Sequence, residues 1–161
     1  MNLPELQVSA GILQDASGRV LITQRPQGKE LAGAWEFPGG KRAAGETRLA
    51  CLARELREEL GIEVIVARHL IRYHHDYSDK RVHLSVWKVL VWAGSPAGIE
   101  KQPLRWIAAK DLMGAGLLPA DEMIACALLM ESAVNQQSWE PALENSQFVA
   151  HQQTVSSNST S

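Results

Sequence analysis

The segment from Gly40 to Ile62, GKRAAGETRLACLARELREELGI, constrains this chain more than any other, because it predicts a helix, both its ends and a cluster of acids at once. Leu49, Leu52, Ala53, Leu56 and Leu60 recur at three- and four-residue steps, so residues 47–60 should form a helix with one apolar stripe. Gly61 stands where a left-handed cap ends helices. Glu46 and Thr47 bring negative charge and a hydroxyl to the free N–H groups at the start. On this helix Glu55 lies one turn from both Glu58 and Glu59, which gathers three carboxylates beside the stripe.

An acidic helix is ordinarily a solvated face, but such faces alternate sign. Three like charges together repel unless a cation or an arginine neutralises them. Hard oxygen donors select Mg²⁺ or Mn²⁺, and Mg²⁺ characteristically joins a few carboxylates to substrate phosphates, so the expected chemistry is phosphoryl or nucleotidyl transfer. Arg54, one turn before Glu58, can fix a carboxylate by a bidentate pair, while Arg57 is read as surface charge. Gly39 and Gly40 follow the short run Glu36-Phe37-Pro38, and a main-chain carbonyl at such a turn can complete a metal shell. The full pattern specifies seven Gly, Glu and Arg positions. At frequencies of roughly 6–7% each, they coincide by chance on the order of once per hundred million starting points.

This segment resembles the signature of the Nudix hydrolases, with Leu56 and Ile62 at its aliphatic positions. The similarity runs from about Leu6 to about Leu129 and is closest to the MutT-like branch, the 8-oxo-dGTP diphosphatases. It also rests on LQVSAGIL (Leu6–Leu13), LITQRP (Leu21–Pro26), WEFPGGK (Trp35–Lys41), LRW (Leu104–Trp106) and LPAD (Leu118–Asp121). The resemblance implies that Gly39 supplies a carbonyl ligand, Glu55, Glu58 and Glu59 the carboxylates, and Glu100 a further carboxylate that reaches the metals or the attacking water. It implies that Arg25 meets the substrate's phosphates, and that Glu36, Phe37, Pro38, Gly39, Asp121 and Lys41, which stands where the family commonly keeps a lysine, belong to the substrate site. Glu55, Glu100 and Glu46 are all candidates for the general base, with Arg54 completing the catalytic set.

Two positions depart from the family pattern. Asp121 replaces an asparagine that reads the oxidised purine edge. An ionised aspartate only accepts hydrogen bonds and so favours an edge rich in N–H groups, whereas a raised pKa would restore a donor. Asp121 also suits the N-cap of a helix over 122–134, and both roles can hold. Glu30 stands where related bacterial enzymes carry a phosphate-contacting histidine, so Lys29 should take that duty or Glu30 should turn away. Leu6, Val8, Ala10, Phe37, Tyr77 and Val82 match base-pocket walls and equally suit an ordinary core.

With 161 residues and 45% apolar content, one domain over residues 1–137 with a full core is expected, followed by a disordered tail over 138–161 that is rich in Gln, Ser, Asn and Thr. A net charge of −2 argues against a polymeric nucleic-acid partner and for a free (deoxy)nucleoside triphosphate. No stretch approaches a membrane span and the start lacks a secretory pattern, so a cytoplasmic monomer is expected. Cys51 and Cys126 read as reduced core thiols, and His74 and His75 point to opposite faces of a strand.

A hairpin of Leu6–Leu13 with Arg19–Gln24, long strands over 63–77 and 81–92, a short strand over 104–107 and a last helix over 121–134 are predicted. Together they suit an α/β/α sandwich with a mixed central sheet, as the resemblance also implies. The expected activity is Mg²⁺-dependent hydrolysis of 8-oxo-dGTP and dGTP to monophosphate and pyrophosphate, which cleanses the nucleotide pool. The alternatives are a pyrimidine nucleotide (CTP) pyrophosphohydrolase of the same family and a non-catalytic nucleotide-binding module.

Overall fold

The alternation of Leu6, Val8, Ala10 and Ile12 sends one side of strand β1 (Glu5–Ile12) into an apolar cluster, while the intervening Gly11 faces the other way. A Cβ on Gly11 would stand 3.0 Å from Leu56 and 3.1 Å from Leu52, so helix α1 (Arg48–Leu60) packs directly on the strand backbone there. The structure, a computed structural model, describes residues 2–144, with side-chain surroundings through residue 135. By compactness the chain divides into Met1–Leu129, which carries every strand described here, and Met130–Ser161.

Besides β1, the strands are β2 (Val20–Gln24), β3 (Trp35–Glu36), β4 (Gly39–Lys41), β5 (Glu63–Asp76), β6 (Arg81–Ala93) and β7 (Leu104–Ile107). One sheet has the order β4-β1-β6-β5, with β1 and β6 parallel and the other pairs antiparallel. The second has the order β3-β2-β7 and is antiparallel. Ala10, Ile12, Ile22, Leu84 and Val86 pack with Ile124, Ala125 and Leu128 of the last helix, α2 (Glu122–Glu144). On the opposite side Leu13, Leu21 and Val89 pack with Leu52, Leu56 and Leu60 of α1. Helices therefore cover both faces of mixed β-structure, the expected α/β/α sandwich. Full burial of each of these leucines contributes roughly 1.5–3 kcal/mol, which is why α1 holds its place.

The ends of α1 are built as its sequence dictates. The Thr47 hydroxyl accepts the Ala50 N–H at 3.1 Å, and Gly61, at φ 69°, donates its N–H to the Arg57 carbonyl at 3.0 Å. The loop after β6 docks on the same end: Ala97 donates to the Leu60 carbonyl at 3.0 Å and Ile99 to the Glu59 carbonyl at 3.1 Å. Glu100 is thereby tethered near the acids of α1.

Several expectations need correction. Leu49 is 44% exposed, and the buried stripe of α1 is Cys51, Leu52, Leu56 and Leu60, because the helix contacts the sheet one step around from the predicted face. The turn at Asp15–Gly18 forms, with Asp15 donating to the Arg19 carbonyl and Leu21 to the Leu13 carbonyl, so the predicted hairpin closes at its tip, but beyond it β1 and β2 part into different sheets. Cys126 is exposed, since it lies off the buried Ile124–Ala125–Leu128 side of α2; Cys51 is the buried thiol. A short 3₁₀ turn, Pro119–Asp121, precedes α2, which continues to Glu144, past the predicted end at Val134. Residues 145–161 of the predicted tail lie outside the described residues.

Candidate active site

Arg54 organises the acids of α1. Its Nε and Nη2 donate to the two oxygens of Glu46 at 2.7 and 3.1 Å, and Nη1 donates to Glu55 Oε1 at 2.9 Å and Glu58 Oε2 at 3.2 Å. Nη2 also holds the Lys41 carbonyl at 2.9 Å. Glu46 accepts a further bond from the Ala43 N–H at 2.9 Å. The Arg54 bonds, with that backbone bond, depress its carboxyl to about pH 2.

Glu55 and Glu59 face a cleft of about 580 Å³ beside Gly39, Gly40 and Lys41 of β4. A Cβ on Gly40 would stand 2.4 Å from the Glu55 carboxyl carbon, and one on Gly39 would stand 2.0 Å from the Ser9 carbonyl oxygen. Only glycines let β4 lie between β1 and the acids. Replacing Gly40 by alanine is therefore expected to push Glu55 aside and lower kcat/KM by about a hundredfold, with little change in circular dichroism; wild-type turnover would contradict this packing.

Glu59 is mostly buried, and its Oε2 accepts the Gly39 N–H at 3.2 Å. Burial first, then the charges of Glu36, Glu55 and Glu100, push its carboxyl up to about pH 8. Glu55 is raised for the same leading reason, with Glu58 and Glu100 adding repulsion against the lowering pull of Arg54. Oxygen donors crowded until one must hold a proton suit a hard divalent cation, which would supply the missing countercharge.

The three carboxylates of α1 do not form a ready cage. Among the described residues no three Asp, Glu, His or Cys side chains are already gathered for a metal. Glu58 is 54% exposed, drawn outward by Arg54 instead of lying with Glu55 and Glu59. Glu100 is exposed on the docked loop, yet close enough to raise both Glu55 and Glu59.

Arg25 and Glu36 also line the cleft, joined by a 3.0 Å ion pair. Phe37 and Asp121 lie among the apolar walls Leu6, Val8, Val82 and Leu84. Asp121 is 5% exposed, and its Oδ2 accepts the Phe37 N–H at 2.8 Å. Burial drives the Asp121 carboxyl up to about pH 7, against the lowering effect of that bond. Pro38 is buried outside the cleft lining, and its carbonyl accepts the Gly11 N–H at 2.8 Å.

A family model described as "NUDIX domain" matches residues 9–126, well over half of the chain. The chain belongs to the Nudix family. The 8-oxo-dGTP diphosphatase of Haemophilus influenzae is 37% identical over 127 residues, covering 79% of this chain and 93% of that protein. The CTP pyrophosphohydrolase of Escherichia coli K12 is 37% identical over 116 residues, covering 72% and 85%. Among solved structures, the E. coli ORF135 protein in solution superposes with a TM-score of 0.73 at 34% identity, covering 82% of this chain and 94% of that one.

Three features of this Nudix hydrolase escaped the sequence reading. Lys80, in the turn between β5 and β6, lines the cleft and pairs with Glu30, which lines it too, so Glu30 stays at the cleft and has its charge met by a cation fifty residues distant instead of turning away. Tyr73 donates to the Ala120 carbonyl at 2.5 Å, and the Tyr77 hydroxyl accepts the Ala120 N–H at 3.3 Å; together they clamp the turn that presents Asp121. Gln102 donates to the Glu59 carbonyl at 2.9 Å and accepts the Glu100 N–H at 3.0 Å, which joins the loop to the helix. No sequence motif marks these contacts, although the aromatic and amide types at strand and loop ends are a weak hint. Among the described residues no helix is long and apolar enough to cross a membrane.

Proposed function

We propose that this protein is an Mg²⁺-dependent nucleoside triphosphate pyrophosphohydrolase that removes 8-oxo-dGTP, and dGTP more slowly, from the free nucleotide pool as a cytoplasmic enzyme. The observation that carries the reading is a single cleft with Glu55 and Glu59 among oxygen donors and a buried carboxyl, Asp121, framed by apolar walls. Glu55, Glu59 and the Gly39 carbonyl would hold the ion, with Glu58 joining once it leaves Arg54 and Glu100 reaching in from its loop. A divalent ion there lowers the pKa of water and neutralises charge on phosphate oxygens.

The chain's own groups do the rest. Arg25, Lys29 and Lys41 offer cations to the phosphates along the cleft. Glu46, held ionised by three hydrogen bonds, is a poor proton acceptor, so it serves with Arg54 to aim Glu55. Glu55 and Glu100 remain the proton acceptors for the attacking water.

Relatives named for 8-oxo-dGTP and for CTP are equally similar, so the base is decided by Asp121. With Oδ2 occupied by Phe37, its carboxylate presents an acceptor to a base edge rich in N–H groups, as 8-oxoguanine is, and its protonated form adds a donor. With Mg²⁺, kcat/KM should be highest for 8-oxo-dGTP among 8-oxo-dGTP, dGTP, CTP and 5-methyl-dCTP; a pyrimidine at the top would overturn the choice of base. In ¹⁸O-water the label should enter pyrophosphate, marking attack at the β-phosphorus. Replacing Asp121 by asparagine keeps the acceptor for Phe37 and adds a permanent donor. The 8-oxo-dGTP to dGTP preference should then change by about tenfold and lose its pH dependence near 7, because the group that titrates there in the wild type is gone. An unaltered preference and pH profile would remove Asp121 from base recognition.

A further inference from the structure

A second concavity lies on the side of the four-stranded sheet that packs α1, whereas the walls of the active-site cleft belong to the opposite side. It has a volume of about 740 Å³ and shares no lining residue with the cleft. Arg42, Arg48 and Arg72 line it together with His69 and Trp87.

None of these three guanidinium groups has a carboxylate partner among the described residues, although the chain as a whole carries a net charge of −2. The acid that does line the groove, Glu46, has both oxygens engaged by Arg54, so it does not neutralise them. Arg48 is also the first residue of α1, in a first turn without an acid. The positive end of the helix dipole repels a cation there, so this choice of residue costs stability unless an anion offsets it. Trp87 also lines the groove, with its indole N–H buried and without an acceptor among the described residues.

We propose that this groove is a second, non-catalytic binding site for a small anion carrying a diphosphate group, either free pyrophosphate or the phosphates of a nucleotide. Guanidinium forks match phosphate oxygens in pairs, and three of them around a concavity within the size range of small-ligand sites favour a compact polyphosphate over a polymer. His69 packs edge-on to Trp87 with centroids 5.1 Å apart, giving an aromatic wall on which a base can lie. The site does not depend on the cleft, so it stands or falls apart from the substrate assignment.

The test is an amide and indole NMR titration of the full chain, without divalent ions, using inorganic pyrophosphate, ADP and sodium sulfate at matched ionic strength. Pyrophosphate and ADP should shift Arg48, Leu49, Arg72 and the Trp87 indole, sulfate should not, and the double variant R48A/R72A should bind at the groove at least about tenfold more weakly. Its kcat/KM with Mg²⁺ and triphosphate should stay within about twofold of wild type, since neither arginine touches the cleft. Tighter binding of pyrophosphate assigns the free anion, and tighter binding of ADP assigns a nucleotide. The proposal is overturned if the groove signals do not move, if sulfate moves them equally, if R48A/R72A binds as wild type, or if a single-stranded oligonucleotide outcompetes both ligands there.

Discussion

Replacing Glu59 by glutamine is expected to lower kcat/KM on the order of a thousandfold while leaving a folded protein. The side chain keeps its volume and can still accept the Gly39 N–H, so the packing between β4 and α1 survives. What disappears is the carboxylate that would face the ion from the buried end of the cleft.

A second readout separates loss of a metal ligand from loss of structure. Between pH 4.5 and about 8 the folded, metal-free chain holds a proton on Glu59 that the unfolded chain has released. Folding therefore weakens as pH rises through that window, the sense required for a carboxyl raised by burial. In E59Q this contribution is absent. Metal-free Tm should fall less between pH 5 and pH 8.5 in E59Q than in the wild type, and the rise in Tm produced by Mg²⁺ should shrink. Full turnover, or wild-type pH and Mg²⁺ responses, would refute the assignment of Glu59.

The next largest effect is expected at Arg54. Lysine keeps the charge but gathers its donors on one atom, so it cannot reach Glu46, Glu55, Glu58 and the Lys41 carbonyl together. Arg54→Lys should lower kcat/KM and apparent Mg²⁺ affinity by about 10–100-fold, because the acids lose their common orientation. Glu46 should also lose its depressed pKa, and carbon-13 NMR of its carboxyl would report a titration moving up from about 2 toward the ordinary glutamate range. Unchanged Mg²⁺ dependence in this variant would show that the four-way contact does not position the ligands.

What could be read in the sequence was what is local. Thr47, Gly61 and the leucine spacing specify α1 within a residue, because capping and periodicity act over one or two turns. The long strands β5 and β6 were equally legible on either side of Ser78-Asp79-Lys80. Contacts between distant segments were not. Nothing in the alternation of β1 and β2 tells that they enter separate sheets, or that β1 runs parallel to β6 across some seventy residues. Leu49 suits the apolar period and still faces solvent, since the sheet meets the helix at Gly11.

The site divides along the same line. Glu55, Glu59 and the two glycines follow from spacing and meet in one cleft. The outward turn of Glu58, the Glu30–Lys80 pair and the Gln102 bridge depend on which partner lies nearest in three dimensions, and local pattern carries no record of that.

The central claim, that the buried acids of α1 with the turn at Gly39 hold a divalent ion against a triphosphate, is tested most directly with Mn²⁺ as a paramagnetic probe. Substoichiometric Mn²⁺ in the presence of a non-hydrolysable deoxynucleoside triphosphate should broaden the amide signals of Gly39–Lys41, Glu55 and Glu59 first, and E59Q should lose that selectivity. Broadening centred away from these residues, or unchanged in E59Q, would contradict the account.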